Sequence, residues 1–259
     1  MGPLMHQMER AVVIQAKPET VFRFFTDSER WAKWWGAGSS IDARPGGNVL
    51  IRHPNGIETL GEVLEVTPPE RIVFTYGFAS GTPIPPGASR VTIELAADGA
   101  ATRLRLRHEF DDAAVCQAHV QGWRFQLSLF GNAVAEEVYA NATALVDAWF
   151  DTWAVTGDGA REAAFAEIAS PEVKFHDRYS LLDGLADVNA HAGAAQKFMP
   201  GVRLQRRGPV GQCQGMALAD WVVLGGDGQE RMSGTNVFVL GGDGLIHSVT
   251  GFTKAMAKD

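Results

Sequence analysis

Glycine-bearing turns cut this chain into short runs, and the turns fall in two separate groups. Pro45-Gly46-Gly47, Asn55-Gly56 and Asp98-Gly99 belong to the first; the stretches Gly225 to Gly228 and Gly241 to Gly244 belong to the second. Asn-Gly and Asp-Gly provide the positive φ that two-residue hairpins require. The runs between these turns alternate apolar and polar residues, the period of a half-buried strand. Such punctuation builds antiparallel meanders, and a meander must cover its apolar face with helices. The fold class expected is therefore α+β, with one helix-backed sheet in each half.

The helical patterns lie where such covers are needed. Glu9 to Ala16 reads as a strand, and Lys17-Pro18-Glu19 then opens a helix with Pro early and acid in its first turn. Val21, Phe22, Phe24 and Phe25 give that helix its buried face. Asp27 or Ser28 caps a second short helix that carries Trp31, Trp34 and Trp35, three of the chain's 7 tryptophans. Either they anchor a core or they line a pocket rim, and the residues alone leave both readings open. Strands follow over Gly61 to Thr67, Arg71 to Phe78, Ser89 to Ala97 and Ala101 to Phe110, with Thr82 to Gly87 as a loop. Asp111-Asp112 caps a long helix whose stripe of Val115, Val120, Trp123, Leu127 and Phe130 must lie across the sheet.

In the second half, helices are expected over Tyr139 to Ala154, Arg161 to Ile168 and Asp187 to Met199, with a short strand from Glu172 to Asp177. Four strand-like runs then close the chain: Val202 to Cys213, Met216 to Leu224, Glu230 to Leu240 and Leu245 to Phe252. The domain boundary is placed at Val138, giving domains 1–138 and 139–259. No flexible linker is written there, so the junction is expected to be helical and the domains rigidly placed.

Composition excludes several functions. Residues 1–138 hold 13 Lys+Arg against 16 Asp+Glu, and residues 139–259 hold 10 against 14. Neither half has the basic surplus of a nucleic-acid binder. Cys116 and Cys213 lack metal or redox spacing and read as free thiols of a reducing compartment. No stretch reaches membrane-spanning length, and the start of the chain has no apolar run. The expected location is cytoplasmic. His53, His108 and His119 match no metal-ligand motif and read as ordinary surface or strand histidines. No glycine-rich phosphate loop joins a strand to a helix, so no nucleotide is expected, and no metal or other cofactor.

Two resemblances follow. The helix pair after the first strand, the run from Gly61 through Pro68-Pro69-Glu70-Arg71-Ile72, and the helix with Gly122-Trp123, Leu127 and Leu129 resemble the START-like (SRPBCC) Hsp90-ATPase-activator-homologue family. That resemblance covers most of residues 9–138 and implies a helix-grip fold, a curved antiparallel sheet around a long C-terminal helix. Members often bind hydrophobic small molecules, and such a cavity lies between helix and sheet. In the second half the resembling residues are Val173 to Asp177, Asp183-Gly184, Pro200-Gly201, Gly234 to Phe238, Asp243 to Ile246 and Gly251-Phe252. They resemble the NTF2-like fold in its SnoaL-like and ketosteroid-isomerase branch, an α+β cone. The same resemblance implies a homodimer through the outer face of that sheet.

The second resemblance also assigns roles. Asp177 matches the carboxylate that removes a proton beside a carbonyl in isomerases of the family. Its other reading is a strand-end group capping the turn at Arg178. Phe150 matches the position of an oxyanion-holding Tyr but has no hydroxyl; Asn236 matches that of an Asp, and its amide can still donate. Asn is rare in mid-strand, and alternation places Asn236 on one face with Gly234 and Phe238. His191 shares a helix stripe with Val188, Ala195 and Phe198, as a ligand contact or a core histidine. Asp177, Asn236, Trp221 and Phe252 are expected to converge on one space, with Phe150 behind it; Trp123 and Trp35 are the candidates in the first half. The expected function is binding of a small hydrophobic or polyketide-like molecule, with turnover by proton abstraction, without metal, as the chemistry implied. The alternative is a non-catalytic sensing or interaction protein, including a chaperone-associated role.

Overall fold

The computed structural model describes residues 4–254; the outermost ends of both expected domains, 1–3 and 255–259, lie outside the described residues. The chain divides into two compact α+β units, Met1–Glu137 and Val138–Asp259.

The first unit begins with β1 (His6–Ile14), followed by α1 (Pro18–Thr26) and α2 (Ser28–Trp35). The strands β2 (Ser40–Ile41), β3 (Asn48–Arg52), β4 (Glu58–Thr67), β5 (Arg71–Phe78), β6 (Ser89–Asp98) and β7 (Ala101–Phe110) come next, and α3 (Ala113–Val138) ends it. The sheet runs β1-β7-β6-β5-β4-β3-β2, antiparallel throughout. Asp27 caps α2 by accepting the Arg30 N–H at 3.0 Å, and Asp112 accepts the Val115 N–H at 2.8 Å at the head of α3. Both caps match the polar residues that precede the apolar stripes.

The tryptophan helix presents Trp31, Trp34 and Trp35 on one face, as positions i, i+3 and i+4 must. All three are buried, with Trp31 and Trp34 among the largest fully buried or nearly fully buried side chains of the unit. Trp31 donates to the Leu50 carbonyl and Trp34 to the Phe24 carbonyl, at 3.3 and 3.2 Å. Phe130 of α3 stacks on Phe25 at 4.8 Å and meets Trp34 edge-on at 5.0 Å. The Gln126 amide also donates to the Trp34 carbonyl. These contacts lock α1 and α2 onto α3 through aromatic area, the largest apolar contribution a side chain can make.

The second unit holds α4 (Ala142–Thr152), α5 (Asp158–Ala166), β8 (Ala169–His176), β9 (Leu181–Asp183) and α6 (Leu185–Phe198). It closes with β10 (Arg203–Cys213), β11 (Met216–Leu224), β12 (Glu230–Leu240) and β13 (Ile246–Lys254). Sheet order is β10-β11-β12-β13-β8-β9, with only the β13–β8 pair parallel. The helix expected from Tyr139 starts instead at Ala142. Tyr139 and its neighbours form a turn, because the buried Tyr139 hydroxyl donates to the Leu240 and Gly241 carbonyls at 3.2 and 2.9 Å. Likewise α5 begins at Asp158, directly after Gly157 at φ 86°, rather than at Arg161. No helix among the described residues is long and apolar enough to cross a membrane.

Candidate functional site

Inward-facing positions of β12 are Gly234, Asn236, Phe238 and Leu240, all buried. Asn236 pairs with Ala219 of β11 on one side and Gly251 of β13 on the other. His176, the last residue of β8, pairs with Thr250, so Asp177 comes next to Gly251. A Cβ on Gly251 would lie 3.0 Å from Asn236 Oδ1 and 3.1 Å from Asp177 Cβ. Glycine thus keeps a slot open between the two polar side chains.

Trp221 fixes the Asn236 amide. Its indole ring lies over Gly234, where a Cβ would come within 2.3 Å of Trp221 Cζ2. Its Nε1–H donates to Asn236 Oδ1 at 2.8 Å. An indole nitrogen only donates, so the bonded amide atom must be the oxygen. The Asn236 NH₂ is then left as an oriented donor on a residue 4% exposed. Asp177 is half-buried, and its Oδ1 accepts the Tyr179 N–H at 2.8 Å, which pins the carboxylate at the end of β8. It therefore caps the turn; its second oxygen is the one left for other work.

The remaining expected residues divide. Phe150 lies behind the row, edge-on to Phe238 at 6.0 Å. His191 packs against Trp153 and Phe175 at 5.9 and 6.5 Å, with Nε2 3.1 Å from the Ser180 hydroxyl. Phe252 does not join them and is corrected: it is 59% exposed and pairs with Thr235, on the face opposite Asn236. The cause is register. The β12–β13 ladder shifts between Val239 and Leu240, and one residue of slip reverses every side chain beyond it. A cleft of about 770 Å³ opens elsewhere in this unit, bordered by Gly157, Arg161, Gln196, Met199 and Gly201, and none of the expected residues lines it.

The first unit holds a different polar group. Trp123 Nε1–H donates to His108 Nδ1 at 2.9 Å. The Ser89 hydroxyl donates to the Tyr76 carbonyl at 2.7 Å, so its 2.9 Å bond to His108 Nε2 must be one it accepts. His108 is therefore neutral with the proton on Nε2. Burial, with His119 adding to it, holds its proton affinity well below the usual imidazole value. His108 is thus a buried core histidine rather than a surface one. His119 donates from Nδ1 to the Val115 carbonyl at 2.8 Å, and burial lowers its proton affinity too. Among the described residues no cluster of three or more His, Cys, Asp or Glu is placed to hold a metal. Trp35 meets Trp123 at 5.6 Å and His53 at 5.8 Å, and its buried Nε1–H has no acceptor. Tyr76 and Ser89 carry no signal of their own in the sequence. The inward parity of His108 between Leu106 and Phe110 is the signal that a polar partner has to exist.

Residues 15–135 match the family model described as Activator of Hsp90 ATPase homolog 1-like protein. Among solved structures, the chain is similar to a putative isomerase of the SnoaL-like family from Agrobacterium tumefaciens, at 20% identity over 44% of this chain and 97% of that one, TM-score 0.42. It is similar to the Aha1 dimer from Colwellia psychrerythraea at 18% identity, over 50% and 96%, TM-score 0.42. It is also similar to an Hsp90 activator from Plasmodium falciparum at 26% identity, over 45% and 86%, TM-score 0.38. No curated protein matches the sequence.

Proposed function

We propose that the protein binds a small, largely apolar molecule carrying a carbonyl, and that the second unit receives it beside Asn236. The Trp221–Asn236 bond carries this reading. It spends the amide oxygen and leaves the NH₂ as a pre-set donor, the arrangement that stabilises a carbonyl oxygen as negative charge develops on it. Asp177, across Gly251, is the group for removing a proton beside that carbonyl. The test is α-hydrogen exchange of 2-tetralone in D₂O, followed by NMR. The protein accelerates exchange; Asp177→Asn removes the acceleration and leaves binding nearly intact. Asn236→Leu weakens 2-tetralone binding by about three- to tenfold, one hydrogen bond's worth. Wild-type exchange at the buffer rate ends the proton-abstraction reading, and undiminished binding by Asn236→Leu ends the placement of the site.

The same unit supports self-association. Met216, Leu218 and Phe252 expose about half or more of their surface on the outer face of its sheet. A homodimer through this face is expected, with a dimer mass by light scattering at micromolar concentration as its check. A second reading belongs to the first unit: the match over residues 15–135 favours an activator-like role. Stimulation of an Hsp90 ATPase by the whole chain, and its loss without residues 15–135, tests it.

A further inference from the structure

We infer that Ser180 and His191 form a nucleophile–base pair that accepts the acyl group of a small activated ester, independently of the Asn236 site. Ser180 Oγ lies 3.1 Å from His191 Nε2, within the reach needed to activate a hydroxyl. The turn that carries Ser180 is held from both sides. The Asp177 N–H donates to the Ser180 carbonyl at 3.0 Å, and the Tyr179 N–H donates to Asp177 Oδ1 at 2.8 Å. The His191 ring is fixed by packing, edge-on to Trp153 at 5.9 Å and against Phe175 at 6.5 Å. Those two rings restrict the position of the imidazole by packing alone.

The surroundings of the pair are open to a small molecule. Tyr179 and Leu181 flank Ser180 and are 67% and 82% exposed, apolar surface against which an aryl or alkyl group can lie.

The chemistry balances without a cofactor. Ser180 Oγ attacks the ester carbonyl carbon while its proton passes to His191 Nε2. The intermediate collapses, the carbon–oxygen bond to the alcohol breaks, and the alcohol leaves with that proton. Water then attacks the acyl-serine, giving a proton to Nε2 that returns to Ser180 Oγ as the carboxylic acid departs.

The test uses the full chain and diisopropyl fluorophosphate, which forms an Oγ–P bond and releases fluoride. Intact mass is expected to rise by one adduct, and peptide mapping of the wild-type protein is expected to place it on Ser180. His191→Gln should slow labelling by roughly 10²-fold or more, the usual worth of a positioned base. p-Nitrophenyl acetate should give a burst of about one equivalent of nitrophenol, the mark of an acyl-enzyme. No adduct on the wild-type chain, an adduct mapped to another residue, or labelling of His191→Gln at the wild-type rate overturns the pair. Because the mapping is made on wild-type protein, its outcome does not depend on any variant folding.

Discussion

An indole N–H begins the buried polar network in each unit, and the two networks end differently. In the first, Trp123 donates to His108, His108 to Ser89, and Ser89 to the Tyr76 carbonyl. Each bond has one donor and one acceptor, and the chain closes on the backbone. In the second, Trp221 donates to Asn236 and the chain stops, with the amide NH₂ still able to give. A closed network is consumed by folding. An open one, held in place by the same kind of bond, has capacity for a ligand. Burial of a polar residue is therefore a weak sign of function until its donors and acceptors have been followed to their ends.

The largest effect that breaks this contrast is truncation. Trp123→Ala removes a ring that touches Trp35 and His108 and leaves His108 Nδ1 unpaired. We expect a loss of about 3–5 kcal/mol in the first unit, read by urea-dependent hydrogen exchange of the β7 amides. Retention of wild-type protection would mean that α3 is not held by this contact.

A milder pair of variants sharpens it. Trp123→Phe keeps most of the packing and deletes one donor, stranding a buried acceptor at a cost of about 1–3 kcal/mol. Trp221→Phe deletes the matching donor in the second unit. There the freed Asn236 amide can turn toward the Gly251 slot, so less than about 1 kcal/mol is expected. The prediction lies in the inequality, and equal losses in the two unfolding measurements would erase the distinction drawn here.

Acid probes the same asymmetry with the covalent structure intact. The folded chain depresses the proton affinity of His108, mainly through burial and also through His119. The unfolded chain therefore binds the proton more readily, and folding stability rises with pH wherever that holds. The contribution is complete above the unfolded value of 6.5 and is lost as pH falls from there toward the depressed native value. His53 and His119 shift in the same direction, again by burial, and reinforce the slope. His108→Gln should flatten the pH dependence of the first unit's unfolding without abolishing it. An unchanged slope would assign the titration to the other two histidines.

Much of this frame was legible in the residues. Turn glycines located the hairpins, and the caps at Asp27 and Asp112 located the helix starts, because both signals are local. The start of α4 was not legible, since it depends on a Tyr139 hydroxyl reaching Leu240 and Gly241, about a hundred positions away in sequence. Asn236 could be assigned to the inner face from the alternation of its own strand. Phe252 could not, because a register shift between two strands has no mark in either strand alone. The Trp221–Asn236 bond was hidden for the same reason. Its partners belong to different strands, and only the pairing of Trp221 with Gly234 brings the indole over the neighbouring amide.

The smallest expected change in stability comes from Gly251→Ala, and it separates site from scaffold most cleanly. Gly251 pairs with Asn236 in a regular part of the β12–β13 ladder, so alanine strains no backbone there. Fewer unfolded conformations favour the variant by about 0.4–1 kcal/mol. Against that, the new methyl would lie 3.0 Å from Asn236 Oδ1 and 3.1 Å from Asp177 Cβ, so both must yield slightly. Overpacking of this kind costs about 1–3 kcal/mol in a rigid core and less where one neighbour is a half-buried chain end such as Asp177. The two terms nearly cancel, and the urea midpoint should move little. Binding should not be spared, because the methyl occupies the slot that Asn236 and Asp177 border. A titration with 2-tetralone is expected to show affinity falling while stability holds. If affinity and stability both stay at wild-type values, the slot is packing space and the open end of the Asn236 amide has no ligand to meet.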